Sequence, residues 1–136
     1  MSAVDRNSDY DVMVIGLGPA GANAAYHLAC AGIRTLAIEK KKMPRRKLCA
    51  GGISAKVIKL LDFDYSAAIE QEIRSAVIHY RQQSVEMSGG EQVGYVVNRP
   101  TFDHLLALRA VKAGAEIHEE ESVLSISEIS HVIEVK

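Results

Sequence analysis

The 136-residue chain contains no tryptophan, few other aromatic residues and only two cysteines. Cys30 and Cys49 cannot provide the disulfide framework of a small secreted domain, so we expect a reducing, cytoplasmic location. The shortage of aromatic side chains and the formal net charge of −1 argue against a nucleic-acid binder. The five histidines lack ligand spacing, so no metal site is expected. The aliphatic run Val12–Ile15 is far too short to span a membrane, and residues 1–11 contain no apolar stretch typical of a secretory signal.

What is present is an ordinary globular composition, with 48% hydrophobic and 24% charged residues, and the length predicts one domain. The clearest pattern lies in the first forty residues. A short apolar strand at 11–15 leads into the turn Gly-Leu-Gly-Pro-Ala-Gly, and an Ala-rich helix follows up to Ala31, with Gly32 placed to end it. A second buried strand is predicted at 35–38, directly before Glu39. This order predicts a βαβ unit with parallel strands and a right-handed crossover.

The glycine turn has the spacing of a dinucleotide-binding motif. Gly16 permits a tight turn out of the strand, Gly18 lets the backbone approach a pyrophosphate, and Gly21 allows the helix to pack closely on the strand. The helix N-terminus offers unpaired N–H groups and partial positive charge to the phosphates. Glu39 is placed to accept hydrogen bonds from both hydroxyls of an adenosine ribose and would repel a 2′-phosphate, which disfavours NADP here. The pattern does not separate FAD from NAD, although the Pro-Ala pair within the turn favours a flavoprotein.

The rest of the chain predicts antiparallel strands and further helices around this parallel core. In chain order, the predicted elements are a helix at 54–61 with Ser54 as its N-cap, strands at 74–81, 84–87 and 94–98 in an antiparallel meander with a turn at Gly89-Gly90, a helix from Arg99 to a stop at Gly114 with Pro100 in its first turn, a third parallel strand at 115–118, and a hairpin at 122–127 and 131–135. Residues 1–10 are expected to form a disordered tail. Because the last strand is left with an unpaired edge, we expect the chain to be the N-terminal part of a longer protein; an ordinary edge strand of a complete small domain is the alternative.

Three sequence blocks, spread over most of the chain, carry a family resemblance. The first is the glycine turn at 16–21 together with Glu39, which many flavoproteins share. The second, which is more specific, is Lys-Leu-Cys-Ala-Gly-Gly-Ile-Ser at 47–54, and the third is Val-Gly-Tyr-Val-Val-Asn-Arg at 93–99, followed by Phe-Asp and Leu-Leu-Ala at 102–107. With these blocks the chain resembles the geranylgeranyl reductase family of FAD-dependent oxidoreductases, which shares its fold with the aromatic hydroxylases. Ala50 departs from the family's Cys-Gly-Gly-type loop, where glycine is frequent.

The resemblance implies an α/β, Rossmann-like FAD-binding domain with a parallel βαβ core and inserted antiparallel strands. The whole chain, 1–136, would be the truncated N-terminal part of the FAD/NAD(P)-binding domain of a larger flavoprotein. FAD would be bound in an extended form, with Ala20 and Gly21 by the pyrophosphate and Glu39 by the adenosine ribose. The cofactor-binding residues expected on this basis are Gly16, Gly18, Pro19, Ala20, Gly21, Glu39, Lys40, Cys49, Ala50, Gly51, Gly52, Arg99 and Val123.

The same resemblance assigns residues to the other parts of the cofactor. Cys49, Ala50 and Gly52 would lie near the flavin, Arg99 would contact the phosphate–ribitol region, and Val123 would offer backbone groups to the adenine. An independent argument supports Arg99, because a guanidinium that precedes a helix is well shaped for phosphate; a solvated surface ion pair is the alternative. The basic run at 40–47 has three interpretations: it screens cofactor phosphates, attracts an anionic lipid headgroup, or forms a solvated loop.

The resemblance also implies a reaction, the reduction of prenyl carbon–carbon double bonds in isoprenoid lipids or pigment side chains by reduced flavin. The electron donor would be NAD(P)H or a ferredoxin, and contact with a membrane at its periphery is compatible with a lipid substrate. An unactivated alkene needs a proton donor, for which Cys49 is the candidate in this chain; a small packed thiol is the competing interpretation.

Two other functions stay open at this point. One is an FAD-dependent monooxygenase of the hydroxylase or epoxidase type, which shares the glycine turn and the arginine before the helix but typically lacks the loop at 49–54. The other is a non-catalytic dinucleotide-binding fragment, because the family's later flavin-contacting segment and its lipid-binding domain are not in this sequence. We therefore expect the 136-residue chain alone to be inactive.

Overall fold

A computed structural model of the chain describes residues 10–88, 93–129 and 132–136. These residues belong to two compact units, a first unit formed by the chain up to Arg45 and from Asp103 onward, and a second unit from Arg46 to Phe102. The tail predicted at 1–10 lies outside the described residues except for Tyr10, and so does the turn predicted at Gly89-Gly90.

The described elements follow one another from β1 to β10, with three α-helices between them. In chain order they are β1 (Val12–Ile15), α1 (Pro19–Cys30), β2 (Thr35–Glu39), β3 (Gly52–Ser54), α2 (Ala55–Ile58), a 3₁₀ turn (Ser66–Ala68), β4 (Ile69–Ile73), β5 (Ser75–Tyr80), β6 (Gln83–Ser88), β7 (Gly94–Val97), α3 (Arg99–Lys112), β8 (Glu116–Glu119), β9 (Ile126–Ile129) and β10 (Val132–Val135).

The first unit contains the predicted parallel sheet. β2 lies between β1 and β8, both pairings are parallel, and every residue of β2 is buried, as expected for an apolar run in a sheet centre. The carboxyl ends of β2 and β8 coincide, because Glu39 is the register partner of Glu119. The hairpin of β9 and β10 is antiparallel as predicted, but β9 begins at Ile126 rather than at Ser122.

Helix α1 ends as the sequence predicts. Gly32 has φ +75°, its N–H donates to the carbonyl of Ala29, and the N–H of Ile33 donates to the carbonyl of Leu28. These two bonds form a Schellman motif, in which a left-handed residue satisfies the last carbonyls of the helix. The chain therefore turns directly from α1 into β2, which places Glu39 beside the start of the helix.

The second unit differs from the predicted meander. β7 does not follow β6 in a sheet but pairs with β3 on one side and β4 on the other, while β5 and β6 form a separate hairpin. The predicted helix at 54–61 is shorter, because α2 ends at Ile58, and Ser54 stands at its N-cap position without a side-chain capping bond. The strands β3 and β4 were not predicted, since β3 has three residues and a register shift between Ile69 and Gln71 interrupts the alternation of β4.

Helix α3 begins at Arg99, as predicted, with Pro100 in its first turn, and it ends at Lys112, shortly before the predicted stop at Gly114. Among the described residues, no helix combines the length and the apolar character needed to cross a membrane.

Candidate functional site

The turn between β1 and α1 leaves a helix N-terminus open. Gly16 has φ +93°, in the left-handed region that favours glycine, and its N–H donates to the carbonyl of Ile38 at 2.7 Å. Gly18 is the N-cap of α1, in an extended conformation, and no side chain caps the helix there. Pro19 follows as the first helical residue, where its missing N–H costs nothing. The first-turn N–H groups of α1 are thus left for a ligand, the arrangement that binds anions.

Gly21 brings α1 close to the preceding turn. A Cβ at this position would collide with the carbonyl oxygen of Gly16 and would lie 3.4 Å from Cγ1 of Val14. Only glycine fits this approach without moving backbone, which agrees with the packing role predicted for it.

Glu39 lies at the carboxyl end of β2, where the sequence places it, and holds the glycine turn directly. Its Oε2 accepts the N–H of Leu17 at 3.0 Å and contacts Nε of Arg45 at 3.0 Å, and its Oε1 accepts the N–H of Lys41 at 3.3 Å. The residue is 4% exposed. Since a carboxylate offers about four acceptor positions, these contacts leave about one for a ligand, on Oε1.

Arg45 and Asp103 complete a buried charge network that the sequence reasoning missed. Nη1 of Arg45 donates to Oδ2 of Asp103 at 3.0 Å, and the side chains are 8% and 0% exposed. The sequence distinguishes Arg45 from no other member of the basic run at 40–47, for which phosphate screening, a lipid headgroup and a solvated loop all stayed open. The available signal was Asp103 itself, because it shares the spacing of the buried residues Leu106 and Ala110 on α3, and an acid on a buried helix face needs a cation.

The network sets the ionisation of Glu39. Burial alone raises the pKa of the Glu39 carboxyl, but the guanidinium of Arg45 and the N–H of Leu17 outweigh burial and bring the pKa below its ordinary value of 4.5. The carboxylate therefore stays charged at neutral pH in spite of its burial.

We expect Glu39→Gln to remove an acid-sensitive part of the stability. Because the pKa of Glu39 is lower in the folded chain, its contribution is fully present above the ordinary value of 4.5 and is lost as pH falls through the folded value. The difference in free energy of unfolding between wild type and variant, measured by urea denaturation, should therefore be largest at pH 7 and shrink below pH 4.5. A difference that stays constant with pH would contradict this expectation.

The other predicted site residues of the first unit lie at the same edge of its sheet. Lys40 is exposed directly after β2. Val123 is half-buried in the segment after β8, and this segment approaches β2 because the N–H of Glu121 donates to the carbonyl of Glu39 at 3.2 Å. Cofactor binding by Lys40 and Val123 stays a prediction.

The remaining predicted residues belong to the second unit. Gly51 has φ +76°, and a Cβ there would collide with the carbonyl oxygen of Val97, so the loop lies directly on β7. Cys49 is exposed, and its Sγ accepts the N–H of Gly51 at 3.4 Å. Ala50 is exposed beside it, Gly52 begins β3, and Arg99 begins α3 two residues after β7.

A family model described as FAD binding domain matches residues 9–133. Digeranylgeranylglycerophospholipid reductase from Methanosarcina acetivorans is 42% identical over 116 residues, which cover 79% of this chain and 28% of that protein. The protein of the same name from Thermoplasma acidophilum is 33% identical over 124 residues, 86% of this chain and 31% of that protein. The chain thus spans about a third of the length of these relatives.

Solved structures show the same fold. The geranylgeranyl bacteriochlorophyll reductase-like protein from Thermoplasma acidophilum matches with a TM-score of 0.80 and 32% identity over 89% of this chain and 32% of that chain. A halogenase solved with phloroglucinol and FAD matches with a TM-score of 0.71 over 93% of this chain and 31% of that chain, and its 22% identity shows the fold alone. The predicted Rossmann-like fold class is confirmed. The chain belongs to the family of FAD binding domains, and its resemblance to the N-terminal part of geranylgeranyl-reductase-type flavoproteins is confirmed with it.

Proposed function

We propose that the chain is the FAD-binding part of an oxidoreductase that reduces prenyl carbon–carbon double bonds of isoprenoid lipids. The structural observation that supports FAD as the cofactor is the uncapped N-terminus of α1 beside Glu39. The Glu39 carboxylate accepts the N–H of Leu17, which belongs to the same glycine turn. The names of the relatives, which are digeranylgeranylglycerophospholipid reductases, support the substrate class.

The first unit fits the adenosine diphosphate part of FAD. The uncapped first turn of α1 offers N–H groups and the positive end of the helix dipole to a pyrophosphate. The uncommitted acceptor position on Oε1 of Glu39 suits one ribose hydroxyl, and the charge of the carboxylate disfavours a 2′-phosphate. When bound, FAD would supply hydride transfer. The role of the first turn of α1 and of Glu39 would be to hold the cofactor in one position.

The residues of the second unit have proposed roles that follow from the family resemblance. Cys49, Ala50, Gly51 and Gly52 would face the flavin, and Arg99 would bind the phosphate–ribitol region. In the proposed reaction Cys49 is the candidate proton donor, and its exposed thiol is accessible for this role. The electron donor, NAD(P)H or a ferredoxin, and peripheral contact with a membrane stay predictions, as does adenine binding by Val123.

The cofactor proposal predicts that the purified 136-residue chain binds FAD. The measurement is an absorbance scan of the protein fraction after gel filtration with added FAD, repeated with NADP. We expect a flavin spectrum that stays with the protein after FAD and no retention of NADP. A chain that shows a folded circular dichroism spectrum but elutes without flavin at saturating FAD would overturn the proposed function for this chain.

The reaction needs a separate test on a longer protein that contains this sequence. With FAD loaded and dithionite as the reductant, we expect loss of double bonds from a digeranylgeranyl lipid, followed by mass spectrometry as a gain of two hydrogens per bond. Oxygen-dependent hydroxylation of the substrate instead would support the monooxygenase alternative and contradict the reductase.

A further inference from the structure

The three nitrogens of the Arg45 guanidinium have three different neighbours. Nε contacts Oε2 of Glu39 and Nη1 donates to Oδ2 of Asp103, each at 3.0 Å. Nη2 lies at the glycine turn, 3.9 Å from where a Cβ of Gly18 would stand, which is ordinary van der Waals contact. The contacts with the two carboxylates are made by Nε and Nη1, and Nη2 lies beside Gly18 at the start of α1.

The burial of Arg45 means that this direction is fixed. Its side chain is 8% exposed, and it is held by two carboxylates with 5% and 0% exposure. Because the guanidinium is planar and is held by carboxylates at Nε and Nη1, the position of Nη2 is fixed as well. A lysine at this position would retain the charge but would present one nitrogen in place of three.

We propose that Arg45 binds the cofactor pyrophosphate through Nη2 and that Asp103 is the residue that positions it. This inference rests on the proposed function and extends it, because it assigns a phosphate contact to one member of the basic run at 40–47 and adds Asp103, which was not among the predicted site residues. Arg45 adds a side-chain cation to the N–H groups of α1, and charge-assisted hydrogen bonds to phosphate are stronger than neutral ones. The role proposed for Asp103 is exerted through its contact with Arg45.

The test compares three ligands that share adenosine. FAD and ADP contain the pyrophosphate and adenosine lacks it, so a phosphate contact affects only the first two. Dissociation constants are measured by calorimetry for FAD and ADP and by ligand-observed NMR titration for adenosine. The variants are Asp103→Asn and Arg45→Lys, and Asp11→Asn is the matched control, since Asp11 pairs with Arg34 in an exposed ion pair of the same unit.

We expect Asp103→Asn and Arg45→Lys to weaken FAD and ADP binding by about 10- to 100-fold, while adenosine binding changes by less than about twofold. Asp11→Asn should leave all three constants unchanged. If Asp103→Asn does not fold, Arg45→Lys gives the same readout with the positive charge retained.

Two results would overturn the inference while leaving the proposed function intact. Unchanged ADP binding in both variants would show that Nη2 does not reach the phosphate. An equal loss for all three ligands would show that the network is only structural. Failure of the wild-type chain to bind FAD or ADP would instead contradict the proposed function, and the positioning role would fall with it.

Discussion

Gly21→Ala is expected to destabilise the first unit and to impair FAD binding together. The added Cβ would collide with the carbonyl oxygen of Gly16, and a backbone oxygen cannot rotate away as a side chain does. Accommodating it must move α1 away from β1, at a cost of about 1–3 kcal/mol in the free energy of unfolding. Because the same movement displaces the N–H groups of α1, we expect FAD affinity to fall by more than about tenfold. Urea denaturation and FAD titration measure the two effects.

Two matched glycine variants separate these effects. Gly18→Ala should keep the fold, because its backbone is extended and the new Cβ meets only an ordinary contact at 3.9 Å, but it should still obstruct the approach of a phosphate. Gly32→Ala should cost about 1–2 kcal/mol through left-handed strain and leave FAD affinity unchanged, since it lies at the other end of α1. A Gly21→Ala protein with wild-type stability and affinity would refute the close approach of helix and turn.

Arg45→Met is expected to be the most destabilising single change in the network. It leaves the carboxylates of Glu39 and Asp103, which are 5% and 0% exposed, without their shared cation. Removing one partner of a buried ion pair costs about 3–5 kcal/mol, because an uncompensated charge stays buried. The measurement is the free energy of unfolding at pH 7 by urea denaturation, with the far-ultraviolet circular dichroism spectrum as a check that the variant folds.

A triple variant is the control for Arg45→Met. Adding Glu39→Gln and Asp103→Asn removes the negative charges of both carboxylates while preserving the shapes of the side chains. Because the cost comes from the charges rather than from the lost volume, the triple variant should be more stable than Arg45→Met alone. A triple variant that is less stable would show that packing, and not electrostatics, explains the loss.

The first unit could be predicted from the sequence because its signals are local. The apolar runs of β1 and β2, the helical spacing of α1 and the stop at Gly32 each lie within a short window, and the structure confirms all of them. The parallel pairing followed from the short βαβ connection, which leaves few alternatives for the chain.

The second unit could not be predicted to the same extent, since its pairings join distant segments. β7 pairs with β3 and β4 and not with β6, the strand that precedes it in the chain, and nothing in the local pattern of β7 specifies these partners. Strand β3, with three residues, is too short to show an alternation. The nearest strand in sequence was the natural choice for pairing, and it was wrong.

The residues of the candidate site also divide into those with a local sequence signal and those without one. Glu39 was predicted because its distance from the glycine turn is a local property of a βαβ unit. Arg45 was not, because nothing in the run of basic residues at 40–47 shows which cation pairs with Glu39 and with Asp103, a partner 58 positions away. Burial, which separates Arg45 from the exposed cations of the same run, becomes visible only in three dimensions.

The same separation has a kinetic consequence. The contact of Arg45 with Glu39 closes a short loop and can form early, whereas its contact with Asp103 spans 58 residues. Loop-closure entropy grows with the logarithm of loop length, so the longer closure costs about 2 kcal/mol more. Until α3 has joined the unit, the guanidinium is held at one nitrogen and remains free to turn. The final alignment of this cation therefore requires the long-range packing of α3 and not only the formation of the short loop.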